Sequence, residues 1–206
     1  KVSKFAPQAQ KIHYEIDPSE VNKNVQVDIA LVGDLKETLR KILPSLETAN
    51  HTDWLAQVNA LKGDCAVRDI QNLPDNGHLY AAHVINALWQ VTKGKAIITS
   101  DVGQNQMWTA QYYRHDEPNT AITSGGLGTM GFGLPSGIGT KFARPDQEVW
   151  VIAGDGGFQM TQAELSTIAQ EGIKLNIAIL NNGYLGMVRQ WQELFYDKRY
   201  IATPMK

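Results

Sequence analysis

Glu148–Asn182 reads EVWVIAGDGGFQMTQAELSTIAQEGIKLNIAILNN, and the pattern of this stretch decides the fold. The apolar run Glu148–Ala153 predicts a β-strand ending on Gly154-Asp155 in a Gly-rich turn. A helix follows, opened by Thr161-Gln162-Ala163-Glu164 in capping-box form and closed by Gly172. Leu175–Leu180 predicts the next strand, which ends on Asn181-Asn182. Strands alternating with helices imply a parallel sheet, and ligands of such sheets sit beyond the carboxyl ends of the strands. Asp155 and Asn182 both fall there. One offers a hard carboxylate oxygen and the other a hard amide oxygen, the ligands Mg²⁺ selects while keeping substrate phosphates as further ligands. The pair reads as a clamp on a metal-bridged diphosphate. The plain alternative is that both are turn residues, since Asp, Asn and Gly are the favoured turn formers. The succession of strand, turn, capped helix, strand and turn favours the metal site.

Upstream, a helix over Tyr80–Val91 precedes a strand over Ala96–Thr99 that ends on Ser100-Asp101. A short strand, Ala121–Thr123, runs into a Gly-rich segment and a helix. Val102-Gly103-Gln104-Asn105-Gln106 places amide side chains and a flexible backbone after a strand, where they suit diphosphate oxygens; an ordinary polar loop would look the same. Seven of the 18 glycines lie in residues 125–139. Within them Gly126-Leu127-Gly128-Thr129-Met130-Gly131 is a formal GxGxxG, which admits a dinucleotide-binding reading with Asp155 as the ribose ligand. That reading leaves Asn181-Asn182 and the Gln-rich stretch unused. A third reading is that the glycines let helix and strand backbones approach closely, and it is assigned to Gly133, Gly137 and Gly139. Downstream, Met187, Val188, Trp191, Leu194 and Phe195 share one helical face, whose default role is core packing, although Gln190 and Gln192 flank Trp191.

Toward the N-terminus, Lys11–Ile16 and Val25–Val32 read as strands, and Leu35–Leu43 as a helix stopped before Pro44. This is the tail of an α/β unit. A short helix around Trp54–Leu61 and the turn residues up to Pro74-Asp75-Asn76-Gly77 read as a linker. The expected division is therefore 1–44, the end of one domain; 45–77, a linker; and 78–206, a second domain truncated at its C-terminus. Starting on Lys1 close to a strand, the chain reads as a fragment of a longer protein.

At 206 residues and 43% hydrophobic, the chain can bury one good core or one core and part of another. A net charge of −2 gives no reason to expect nucleic acid, and no apolar run approaches a membrane span. Cys65 is alone, which excludes a disulfide framework and fits a reducing compartment. The five histidines show no zinc-ligand spacing.

The spacing and flanks of Asp155 and Asn182 resemble the GDG…NN signature of thiamine-diphosphate enzymes. Thr123–Pro135 (TSGGLGTMGFGLP) and Leu180–Tyr196 (LNNGYLGMVRQWQELFY) resemble, more specifically, the large catalytic subunits of the acetolactate synthase (acetohydroxyacid synthase) family. Residues 11–34 resemble the end of that family's central domain. The resemblance implies an α/β thiamine-diphosphate-binding fold and a transferase that condenses pyruvate with pyruvate or 2-oxobutyrate, losing CO₂, in branched-chain amino-acid biosynthesis. It implies thiamine diphosphate, Mg²⁺ and FAD as cofactors. Asp155, Asn182 and the backbone carbonyl of Tyr184 would hold Mg²⁺. Val102, Gly103, Gln104 and Asn105 match the loop that holds the diphosphate, and Gly154, Gly156 and Gly157 are further implied cofactor-binding positions. Gly128 and Met130 match the positions that meet the aminopyrimidine, so they position the cofactor. Glu15, Ile16, Asp34 and Leu35 match positions lining FAD; Met187 and Trp191 match the substrate pocket and its entrance.

Two departures stand out: Asn105 replaces a usual His, leaving a donor, and Gly157 replaces a common Ser. The family's catalytic glutamate would lie outside these residues, so the fragment alone is expected to be inactive. A homodimer or tetramer of the full-length subunit and a small regulatory subunit are the implied partners, with 2-oxo acids as substrates and neither nucleic acid nor membrane. The compartment would be bacterial cytoplasm, or a plastid or mitochondrion in a eukaryote. Pyruvate oxidase, glyoxylate carboligase and oxo-acid decarboxylases share the architecture and remain alternatives, as do a nicotinamide-dependent oxidoreductase and a purely oligomerising module.

Overall fold

The computed structural model describes residues 2–64 and 76–205. They belong to two compact units divided between Asp64 and Cys65. In the first, β1 (Ile12–Glu15) and β2 (Ile29–Val32) pair in parallel, Ile12 opposite Ile29 and Glu15 opposite Val32. The strand expected over Val25–Val32 begins only at Ile29. Asn22 Oδ1 accepts the N–H of Val27 and the Asp28 carboxylate accepts that of Lys11, so a turn takes the preceding residues. α1 (Leu35–Ile42) opens under Asp34, whose carboxylate accepts the Glu37 N–H at 3.0 Å and satisfies a donor that has no partner within the helix. It gives way to a 3₁₀ turn over Leu43–Ser45, where Pro44 has no N–H to donate. α2 (Thr52–Asp64) is longer than the helix expected around Trp54–Leu61, so much of the stretch read as a linker is helical and belongs to this unit. The remainder of that linker reading, residues 65–75 with Cys65 and Pro74-Asp75, lies outside the described residues.

The second unit is an α/β layer structure. α3 (Ala81–Thr92) leads into β3 (Ile97–Ser100), α4 (Gln104–Tyr112), β4 (Ala121–Thr123) and α5 (Gly133–Ala143). β5 (Val149–Gly154), α6 (Asp155–Thr161), α7 (Leu165–Glu171), β6 (Asn176–Leu180) and α8 (Gly186–Phe195) complete it. The sheet order is β4-β3-β5-β6, parallel throughout. Alternate residues of each strand face opposite sides. Ile98 and Ile152 pack with Ala82, Ile85 and Leu88 of α3 and Tyr112 of α4. Thr99 and Val151 face α5, which lies so close that a Cβ on Gly137 would stand 2.5 Å from Val151 Cγ2. A Cβ on Gly133 would meet the backbone nitrogen of Asp101 at 2.9 Å, whereas one on Gly139 would meet nothing within 4 Å. The close-approach reading therefore holds for Gly133 and Gly137 and fails for Gly139, which turns away from the sheet.

Three local expectations are corrected. The helix after β5 opens at Asp155 itself, not at Thr161, so the strand passes into the helix without the expected turn. Thr161 forms no capping box: its hydroxyl donates to the Gly131 carbonyl at 3.1 Å, and a 3₁₀ turn over Gln162–Glu164 separates α6 from α7. Gly172, with φ of 62°, does close α7 as expected. The apolar face of α8 is not core within the described residues, since Val188, Trp191, Leu194 and Phe195 are all exposed, Trp191 by 55%. Among the described residues no helix is long and apolar enough to cross a membrane.

Candidate functional site

The sheet order sets where a site can form. From β3 the chain moves outward to β4, then crosses back to β5 on the other side of β3. The loops after β3 and β5 consequently leave in opposite directions and open a crevice between them, the switch point at which open α/β sheets bind ligands. A cavity of about 200 Å³ occupies that crevice.

Four chain segments line it. Val102 and Gly103 follow β3, and Gln104 and Asn105 form the first turn of α4 rather than the flexible loop expected from sequence. Gly103, the residue before the helix, has φ of 129°, a conformation favoured by glycine. Gly128 and Met130 come from the glycine-rich segment, and Gly154, Asp155, Gly156 and Gly157 from the β5–α6 junction. Asn182 and Tyr184 follow β6, and Met187 comes from the first turn of α8. The structure thus gathers the residues singled out for cofactor and metal in this unit around one space. Trp191 does not join them; it borders a separate shallow depression with Val188, Gln192 and Tyr196. In the first unit, Glu15-Ile16 and Asp34-Leu35 stand together at the carboxyl ends of β1 and β2, where the Gly33 N–H donates to the Glu15 carbonyl at 2.9 Å.

The donors and acceptors of the cavity are largely prearranged. Asp155 is only 8% exposed and opens α6, placing a hard anionic ligand at its edge. Asn182 Oδ1 accepts the Tyr184 N–H at 3.0 Å, which fixes the amide orientation while leaving the oxygen a second lone pair. Its Nδ2 donates to Gln104 Oε1 at 3.3 Å, and Gln104 Nε2 donates to Gln190 Oε1 at 3.0 Å, a chain of amides joining β6, α4 and α8. Asn105 differs from expectation. Its Nδ2 donates to the carbonyls of Asp101 at 2.9 Å and Ile152 at 3.3 Å, so both amide hydrogens tie β3 to β5 and the side chain leaves no donor for a diphosphate. The backbone N–H groups at the start of α4 are the anion-seeking groups there.

A hard-oxygen donor set of Asp155, Asn182 and the Tyr184 carbonyl fits Mg²⁺. The glycines around it fit a large ligand, because side chains would fill the cradle: a Cβ on Gly156 would stand 2.7 Å from Leu185 Cδ2. Among the described residues no group of three or more His, Cys, Asp or Glu converges, which leaves no competing metal centre of that kind. The strand order also removes the dinucleotide reading of Gly126–Gly131. That reading needs the acidic residue on the strand adjoining the one before the glycines, but β4 adjoins β3, and β5 with Asp155 lies one strand further.

Sequence reasoning missed several residues. Asp101, at the end of β3, is 1% exposed; burial pushes its carboxyl upward, opposed by the backbone N–H groups of Val102, Gly131, Phe132 and Gly133. Residues 203–205 form a strap along Gly183–Leu185, with the Leu185 N–H on Thr203 O and the Met205 N–H on Gly183 O, both at 2.8 Å. The strap brings Met205 beside Gly156 and Met130. Arg189 lies over the rings of Tyr184 at 4.0 Å and Tyr200 at 5.1 Å, which holds the start of α8 against the segment leading to the strap. None has a local sequence signal, because the partners that give each its role, Gly131 for Asp101, Gly183 and Leu185 for the strap and Tyr200 for Arg189, lie outside its own local stretch of the chain.

Residues 101–206 match the C-terminal TPP-binding domain of thiamine pyrophosphate (thiamine diphosphate) enzymes, and residues 1–42 match the central domain of the same enzymes. The whole chain is 43% identical to the acetolactate synthase of Mycobacterium bovis and 44% identical to the acetolactate synthase large subunit of Corynebacterium glutamicum, covering 34% and 33% of their lengths. Over 98% of the chain it is 44% identical to the mitochondrial acetolactate synthase catalytic subunit of Aspergillus candidus, covering 31% of that protein. The chain spans about a third of the length of these curated relatives.

Proposed function

The chain belongs to the thiamine pyrophosphate enzyme family, and we propose that it carries the diphosphate- and metal-holding part of an acetolactate synthase large subunit. One observation supports this most: residues from four separate segments, Asp155 and Asn182 among them, line a single cavity at the switch point of a parallel sheet. Asp155, Asn182 and the Tyr184 carbonyl would hold Mg²⁺, the carboxylate supplying the only formal charge of the three. Gly103 and the first turn of α4 would meet the diphosphate through backbone N–H groups, with Val102 bordering it. Gly128 and Met130 would border the aminopyrimidine, with Gly154, Gly156 and Gly157 leaving room for the cofactor to approach. Thiamine diphosphate, when bound, supplies the electron sink for decarboxylating a 2-oxo acid. The residues of this chain position it and exclude water: Leu185, Met130 and Met205 close an apolar wall around Gly156.

For the whole protein we propose condensation of pyruvate with pyruvate or 2-oxobutyrate, with loss of CO₂, in branched-chain amino-acid biosynthesis. Met187 would face the substrate inside the cavity and Trp191 would stand outside at its approach. Glu15, Ile16, Asp34 and Leu35, at the carboxyl ends of two parallel strands, suit a nucleotide by position and would contact FAD. Residues 1–44 would then end a central domain and 78–206 form the cofactor-binding domain. A small regulatory subunit and a homodimer or tetramer are the partners proposed, and the compartment is the cytoplasm of a bacterium or an organelle of a eukaryote.

Titration of the protein with thiamine diphosphate, with and without Mg²⁺, tests the reading. Binding should require the cation, and Asp155→Ala should abolish it, because the diphosphate then loses the cation that neutralises it. Asn182→Ala should weaken it less, since an amide carries no charge. Unchanged affinity in the Asp155 variant would remove the clamp.

A further inference from the structure

We propose that Asp101 is a positioning residue of the cofactor site, joining through one carboxylate three of the four segments that line it; this rests on the function proposed above. Asp101 itself does not line the cavity. Its Oδ1 accepts the Val102 N–H at 2.6 Å and the Gly131 N–H at 2.9 Å, and its Oδ2 lies 3.2 Å from the same Gly131 nitrogen. From the third side, a Cβ on Gly157 would stand 2.8 Å from the carboxylate carbon. Asn105 grips the Asp101 carbonyl from above.

Each contacted segment bears cavity residues. Val102 leads the first turn of α4, Gly131 follows Met130 directly, and Gly157 lies in the first turn of α6 behind Asp155. Their separations are what a bridging cation, a diphosphate and a pyrimidine would all have to match. An apolar side chain of similar size could fill the same volume. It could not satisfy the Val102 and Gly131 N–H groups, and buried donors left without partners would move the loops apart. A carboxylate at this depth is costly unless fully hydrogen-bonded, and packing alone gives no reason for one here. The glycine at 157 has the same origin. The Asp101 carboxylate occupies the place of its missing side chain and is not free to swing away, because the Gly131 N–H holds it.

The test measures thiamine diphosphate affinity by isothermal titration in saturating Mg²⁺, beside cofactor-free thermal melts, on the whole protein. Asp101→Asn keeps the size and the Oδ1 acceptor but replaces Oδ2, which faces the Gly131 nitrogen at 3.2 Å, with an amide donor. It should weaken binding about 10–100-fold, the loss typical when a group supporting a metal ligand is removed, while the melting transition persists. Gly157→Ala pushes the same contact from the opposite side and should weaken binding in the same direction. Because both act through one contact, the double variant should lose less than the two single losses combined. Wild-type protein that fails to bind would sink the proposed function and not this role. Wild-type protein that binds, together with an Asp101→Asn variant of equal affinity, overturns it. So do additive losses in the double variant, and so does disappearance of the cofactor-free transition, which would make Asp101 a determinant of the fold instead.

Discussion

β5 in the second unit and β2 in the first are both apolar parallel strands, yet Ile152 is 1% exposed and Val32 is 52% exposed. The difference lies in what flanks them. α3 and α4 cover one face of β5 and α5 the other, so each residue of the strand finds a packed neighbour whichever way it points. β2 pairs with β1 alone and keeps most of its surface open among the described residues. A continuous apolar run states a demand for two covered faces. Whether that demand is met depends on elements elsewhere in the chain, and the cavity stands where it is met.

The largest effect should come from emptying the covered strand. Ile152→Ala should cost about 2–5 kcal/mol, the range for truncating a buried isoleucine. Val32→Ala should stay within about 0.5 kcal/mol of wild type, as exposed positions do. Urea unfolding read by circular dichroism checks both, and equal losses would break the contrast between the two strands.

A finer version of the same contrast lies within α5. Gly137→Ala drives a methyl group into Val151 and should cost about 1–3 kcal/mol through overpacking. Gly139→Ala meets open space and should instead stabilise by about 0.5–1 kcal/mol, because alanine loses less freedom in a helix. Thermal melts of the two variants should shift in opposite directions. A matching sign would mean that both faces of α5 are equally covered.

The smallest effect sharpens the boundary between covered and open surface. His115 is half-buried, 4.8 Å from the Tyr113 ring and with Nδ1 3.1 Å from Thr120 Oγ1. Burial holds its imidazole below the usual 6.5 and outweighs the opposite pull of Asp116. The unfolded chain therefore takes up this proton first as pH falls. Stability from the neutral ring is full above the unfolded value and is lost as pH drops through about 6.5 toward the folded value. His115→Gln should flatten the stability profile over that interval, and an unaltered slope in urea titrations from pH 7.5 to 5 would place His115 in open solvent.

Much of the second unit could be read from residues alone, since its strands, its glycine-rich segment and the pair Asp155 and Asn182 carry local patterns. β4 was expected over Ala121–Thr123 and is found there. Other readings failed where two patterns competed for one residue. Thr161 had the form of a cap, but the carbonyl of Gly131 claimed its hydroxyl. Asn105 had the form of a phosphate donor, but two strand-end carbonyls took both its hydrogens. Met187 and Trp191 share an apolar helical stripe, and only the packing of α8 shows that one enters the cavity while the other borders a different surface.

Apolar periodicity and turn residues were enough to establish parallel α/β architecture, and the chemistry of oxygen ligands was enough to single out Asp155 and Asn182 as the pair proposed for a metal-bridged diphosphate. Each of these is a property of neighbouring residues or of a repeated period, so a linear reading can recover it. Strand order, the closing of four segments on one cavity, and the gathering of three loops on the Asp101 carboxylate were settled by folding. They join residues remote in the chain through close approach and hydrogen bonding, and no local pattern encodes which distant N–H group a buried oxygen will meet.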